Sequence, residues 1–145
     1  MAYDDSNIFA KILRGEAPAF SVYENEHCLA FLDAMPQSDG HTLVLPKSTA
    51  TDLFDIEPDA LRTVIIAVQH VARGVRKAFE PAGIRLMQFN GSAAGQTVFH
   101  FHMHIVPCYE GKATREHGRN LAAADTLERH ATRIRAALEP AQPGR

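Results

Sequence analysis

Cysteine is scarce in this chain of 145 residues: only Cys28 and Cys108 occur, and neither belongs to a C-x-x-C pair. Two cysteines do not build a disulfide framework, so both thiols are expected reduced, in a cytoplasmic protein. Long apolar runs are also missing. Nothing approaches the ~20 residues that span a bilayer, and the acidic start Ala2-Tyr3-Asp4-Asp5 lacks the basic-then-apolar order of a secretory leader. No membrane partner is expected. There is no internal repeat, low-complexity tract or linker to divide the chain. One domain is expected over residues 1–138, with 139–145 as a flexible tail. No dense basic run with interleaved aromatics occurs, so no nucleic-acid partner is expected.

What is present is ordinary in bulk and uneven in distribution. Hydrophobic residues make up 46% and charged residues 22%, enough for an apolar core without metal or disulfide staples. The net charge of -2 hides an asymmetry: residues 1–60 hold 11 acids and 3 Lys/Arg, residues 61–145 hold 6 and 12. Many of those arginines fall on the solvent faces of two predicted helices. A solvated surface therefore explains them first, and steering of an anionic ligand second.

The apolar periodicity predicts three helices, over Asn7–Arg14, from Pro58 until Pro81 and Gly83 end it, and over Leu121–Leu138. The long central helix carries an apolar stripe of Leu61, Val64, Ile65, Val68, Val71, Val75 and Phe79. Five strands are predicted, at Phe20–Tyr23, Cys28–Leu32, His41–Leu45, Ile84–Phe89 and Val98–Pro107. The fold class is α+β: a largely antiparallel five-stranded sheet with segregated helices.

The chemistry concentrates in His100-Phe101-His102-Met103-His104. On a strand, alternate side chains share a face, which aligns His100, His102 and His104 at ~6.5–7 Å intervals opposite an apolar row. Three readings stand side by side. These are surface histidines, a metal site built on a His-x-His pair, or imidazoles acting on phosphate. Imidazole is partly unprotonated at neutral pH and is a competent nucleophile. No acid or cysteine alternates into the same strand to complete a metal site. The preceding loop Asn90-Gly91-Ser92-Ala93-Ala94-Gly95-Gln96-Thr97 favours phosphate. Its glycines allow close backbone approach, and successive N–H groups can form an anion nest.

The segment from Gly95 to Pro107 resembles the signature of the histidine-triad (HIT) family, His-φ-His-φ-His-φ-φ with φ apolar. The likeness continues through Ile8-Phe9-Ala10-Lys11-Ile12, Gly15-Glu16-Ala17-Pro18, Tyr23-Glu24, Ala30-Phe31-Leu32-Asp33, Pro36 and Gly40 to Lys47. It implies a two-fold homodimer and hydrolysis or transfer at the α-phosphorus of nucleoside phosphoramidates or dinucleoside polyphosphates. A purine nucleotide or nucleotide conjugate is the implied substrate. By the same resemblance His102 is the nucleophile and His104 a donor to phosphate oxygens. His100 and His41 support the strand face. Asn90, Gly95 and Gln96 belong to the phosphate loop, and Thr97 reaches the leaving group. Asp33 binds the ribose, while Ile8, Phe9, Ile12 and Phe31 form the base pocket.

From the residues alone, Asp33 reads equally as a turn residue and His41 as a buried core histidine. The four apolar residues would be core in any fold. Some bacterial members of the family bind zinc through an N-terminal Cys-x-x-Cys and a later histidine. Those positions here are Asn7, Ala10 and Thr49, so no metal and no cofactor are expected. Two alternatives remain: a nucleotide-binding adaptor with little turnover, or a metal-dependent enzyme on the three-histidine face.

Overall fold

Asn25 starts the first hairpin. Its side-chain Oδ1 accepts from the backbone N–H groups of His27 and Cys28, at 2.8 and 2.7 Å, which turns the chain between two strands. These are β1 (Ser21–Glu24) and β2 (Cys28–Leu32). The computed structural model describes residues 2–116, 118 and 120–138; the expected tail over 139–145 lies outside the described residues.

Strand β3 (Thr42–Pro46) pairs with β2 along its length, from Cys28 opposite Pro46 to Leu32 opposite Thr42. Every residue of both strands is buried, so their sequences read as continuous apolar runs with little alternation. Strands β4 (Gly83–Met87) and β5 (Met103–Cys108) complete an antiparallel sheet of order β1-β2-β3-β5-β4.

The two sheet faces have different covers. On one, Ala30, Leu32, Val44 and Ile105 pack under α2 (Pro58–Phe79) and α3 (Ala124–Ala137). On the other, Leu29, Phe31, Leu43 and Leu45 pack under α1 (Ile8–Leu13) through Phe9. Full burial of such side chains contributes ~1.5–3 kcal/mol each. The histidines occupy this second face.

Pro58 opens α2 at a position where its missing N–H costs nothing, and the helix buries Val64, Ala67, Val68, Val71 and Val75. Ile65 was expected in that stripe and is not part of it. A step of 100° from Val64 carries it outward, leaving Ile65 47% and neighbouring Ile66 66% exposed. Gly40 has φ +90°, and a Cβ there would lie 3.1 Å from the Phe79 ring, so the turn before β3 packs directly against the end of α2. No helix among the described residues is long and apolar enough to cross a membrane.

Three boundaries differ from the sequence expectation by more than one residue. Helix α3 starts at Ala124 and not Leu121, because residues before it run extended and the Ala122 N–H bonds the Ala34 carbonyl at 2.9 Å. Strand β4 stops at Met87, where Gln88 and Asn90 join side chain to side chain. Strand β5 starts at Met103 and not Val98. The Phe101 N–H is taken by the Ala50 carbonyl at 2.8 Å, outside the sheet ladder.

Candidate active site

The hydrogen-bond partners of four buried histidines fix which ring nitrogen of each carries a proton. His41 is fully buried at the start of β3. Its Nδ1 accepts from the Gln37 backbone N–H at 3.0 Å, so its proton is on Nε2. That Nε2 lies 2.9 Å from His104 Nδ1, to which it donates, with Asp33 Oδ2 3.5 Å away. Since His104 accepts on Nδ1, its own proton sits on Nε2.

In the second pair only His102 departs from this arrangement. His100 Nε2 lies 2.8 Å from the Pro46 carbonyl, which can only accept, so Nε2 carries the proton. Its Nδ1 accepts from the Tyr3 hydroxyl at 2.6 Å. Burial holds the His100 pKa below the ordinary histidine value, opposed in part by the Pro46 carbonyl. His102 Nδ1 stands 2.6 Å from the His100 carbonyl oxygen and must donate to it. His102 Nε2 is therefore the lone-pair nitrogen, whereas His104 Nε2 is a donor. Two neighbouring imidazoles carry opposite chemistry.

The rings of His102 and His104 have centroids 5.0 Å apart at 57°, closer than the strand rise alone gives, because they tilt toward each other. Phe9 meets His102 edge-on at 4.8 Å and Phe31 at 5.4 Å. Ile12 packs into the same cluster, and Ile8 is 47% exposed at its rim. The four expected base-pocket residues thus lie on and around α1. The two histidines expected to support the strand face bond different partners: His41 bonds His104, and His100 bonds Tyr3 and Pro46. Asp33 serves as a turn residue, accepting the Met35 N–H at 2.9 Å, and also faces His41.

In the loop before the histidines four amides bond internally: Ala94 and Gln96 to the Gly91 carbonyl, Gly95 to that of Ser92, and Gly91 to the Gln96 side chain. Gln96 is buried and its Nε2 also holds the carbonyls of Thr51 and Val98. Its side chain therefore shapes the loop. Asn90 does the same, accepting the Leu53 N–H at 2.8 Å. Gly95, with φ +104°, supplies a backbone conformation other residues resist, and Thr97 is exposed at the loop's end.

Asp33, His41 and His104 offer one ligand atom each within 4.8 Å of one another, as a metal site would need. Both nitrogens of His41 are already engaged in hydrogen bonds, and a cation there would have to break the bond to His104. At Asn7 and Ala10 the side chains provide a helix cap and a buried methyl group. Sequence reasoning missed Tyr3 and Gln37. Neither carries a pattern, since each acts on a residue brought to it by the fold.

A HIT domain model matches residues 14–111. The protein Hit of Bacillus subtilis is 45% identical over 102 residues, 70% of this chain and 70% of that one. Adenylylsulfatase HINT3 of Arabidopsis thaliana is 35% identical over 127 residues, covering 88% of this chain and 61% of that protein. A crystal structure of a Hit-like protein from Bartonella henselae superposes with a TM-score of 0.89 at 47% identity, covering 94% of this chain and all of that chain, 100%.

Proposed function

The chain belongs to the HIT family, and from that premise we propose that it hydrolyses or transfers nucleotides at the α-phosphorus through a covalent intermediate on His102. The observation that carries this reading is the opposed protonation of His102 and His104. A nucleophile and a donor to phosphoryl oxygen are both needed within one site, and these two rings supply them side by side.

In the first step His102 Nε2 forms a bond to phosphorus as the bond to the leaving group breaks. The leaving group departs as an amine or phosphate, taking a proton from solvent that the attacking water returns in the second step. The Nδ1–H stays on the His100 carbonyl, so the adduct is a cationic nucleotidyl-imidazolium, a good leaving group in its turn. His104 Nε2–H meets the charge that develops on the phosphoryl oxygens. Water then attacks phosphorus and releases the nucleoside monophosphate, restoring neutral His102. Splitting one displacement into two is the gain of covalent catalysis. Ile8 and Ile12, backed by the buried Phe9 and Phe31, offer a purine base an apolar surface, and Asp33 offers the ribose hydroxyls an acceptor.

A homodimer is part of the same proposal. Strand β4 is a sheet edge, and beside it Ile65, Ile66 and Leu86 are 47%, 66% and 47% exposed. They line a concavity of about 710 Å³ far from the histidines. An uncovered edge next to apolar side chains favours association with a second copy. Both cysteines are free thiols, which suits the reducing cytoplasm.

The test is a turnover panel of adenosine and guanosine phosphoramidates, dinucleoside polyphosphates and adenylyl sulfate. The last is suggested by the name of the Arabidopsis relative. His102→Ala should fold, bind nucleotide and lose more than the ~10²–10³-fold expected for removing one stabilising donor. Rapid quench should trap an acid-labile nucleotidyl group on His102. Near-native turnover by the variant, or an adduct elsewhere, refutes the mechanism; a wild type that binds nucleotide without turnover is an adaptor.

A further inference from the structure

We propose that Tyr3 is a positioning residue for the nucleophile, acting through His100. The inference rests on His102 being that nucleophile. Its basis is a continuous hydrogen-bonded path. Asn7 Nδ2 donates to the Tyr3 hydroxyl oxygen at 2.9 Å, the hydroxyl donates to His100 Nδ1 at 2.6 Å, and the His100 carbonyl accepts His102 Nδ1–H at 2.6 Å. The Tyr3 ring stands edge-on to His100, with centroids 5.6 Å apart at 74°.

The path matters because of where the ladder begins. Strand β5 starts at Met103, so the His100 carbonyl lies outside the sheet's regular pairing. Side-chain bonds hold this segment: the His100 ring is clamped between the Pro46 carbonyl and the Tyr3 hydroxyl. His100 is fully buried, so no solvent replaces a lost partner without rearrangement. Without the hydroxyl, Nδ1 would lack a donor. The ring would then turn or exchange its proton between nitrogens, disturbing the bond to Pro46 and with it the carbonyl that holds His102.

Asn7 sets the direction of the hydroxyl. Its Nδ2 fills an acceptor position on the Tyr3 oxygen, which leaves the hydroxyl proton for His100. The same residue caps α1, its Oδ1 accepting the Ala10 N–H at 2.9 Å, and α1 carries the Phe9 ring that rests on His102. One asparagine therefore orders both the ring behind the nucleophile and the aromatic face beside it. A purely structural role would tie the N-terminal segment down and leave the protonation of His102 unaffected.

The test uses the full chain with Tyr3→Phe and Asn7→Asp. The aspartate keeps an acceptor for the Ala10 N–H, but draws the Tyr3 hydroxyl proton away from His100. Circular dichroism and thermal melting establish that each variant is folded. We expect kcat to fall about tenfold in both with KM changed less than twofold. Histidine ¹⁵N spectra should show a single Nδ1–H form of His102 in the wild type and a mixture in the variants. Should Tyr3→Phe not fold, Asn7→Asp decides alone. A folded variant with kcat within twofold of wild type, or with unchanged His100 and His102 spectra, overturns the proposal. Failure of the nucleophile assignment is read separately, from turnover in His102→Ala; the ¹⁵N spectra do not depend on it.

Discussion

Replacing His41 with Leu separates a catalytic relay from a packed core histidine. The side chains are similar in volume, so the fully buried site gains no large cavity. What is lost is the acceptor for the Gln37 N–H and the donor to His104 Nδ1. Each buried group left without its partner costs ~1–3 kcal/mol, so the pair costs about 2–6 kcal/mol before the gain from an apolar side chain. A chain of this size loses ~2–4 °C of Tm per kcal/mol, which places the drop at about 4–24 °C. The catalytic effect is distinct. Without the His41 donor, His104 is no longer held with its proton on Nε2, and the phosphoryl oxygens lose a fixed partner. Turnover should fall by ~10–10²-fold, below the full loss of a stabilising donor, because His104 itself remains. Steady-state kinetics with an adenosine phosphoramidate, thermal melting and the His104 ¹⁵N signals measure the three effects. A Tm drop of the expected size with kcat reduced less than threefold would make His41 a packing residue only. An unchanged Tm would mean that the relay of hydrogen bonds does not operate.

Activity should survive prolonged treatment with a strong chelator, since imidazoles provide the donors; loss on chelation that Zn²⁺ restores would assign catalysis to a metal on Asp33, His41 and His104. Light scattering should give about twice the chain mass, and Leu86→Glu should reduce it to one chain; a wild-type monomer at micromolar concentration refutes the dimer. Burial depresses the pKa values of His100 and His130 in the folded protein. The unfolded chain then binds more protons below the ordinary histidine value of about 6.5, so stability should fall as pH drops through that value. Urea midpoints at pH 7.5 and 5.5 measure this: His130→Gln should shrink the difference, and a midpoint that rises on acidification contradicts it.

The fold class and the face carrying the histidines were legible in the sequence because periodicity reports which residues share a face. Phe101, Met103 and Ile105 alternate with the three histidines in sequence and pack under the helices. Boundaries set by tertiary bonds were not legible. The segment 98–102 has the apolar pattern of a strand, yet the Ala50 carbonyl claims the Phe101 N–H. The roles within the site were hidden for the same reason. Which nitrogen of His104 carries the proton is decided by His41, 63 positions away in the chain. For His100 it is decided by the Pro46 carbonyl, 54 positions away. In the small-residue loop at 90–96, glycine content reports backbone freedom and says nothing of the internal bonds that Gly91, Ala94, Gly95 and Gln96 make.

Strand β5 has a consequence for how activity arises as the chain folds. It lies between β3, from the first third of the chain, and β4, which follows the long helix. The β1–β2–β3 meander closes through short connections and can form early, whereas β5 has to find two partners, one of them distant in sequence. The imidazoles therefore meet only when the seam between the two halves is sewn. A chain with only the meander formed has His41 in place on the Gln37 N–H but not yet His104 to receive its Nε2–H. Enzymatic activity during refolding should consequently track the last cooperative phase and lag behind the recovery of helical circular dichroism, which makes turnover a reporter of completed assembly.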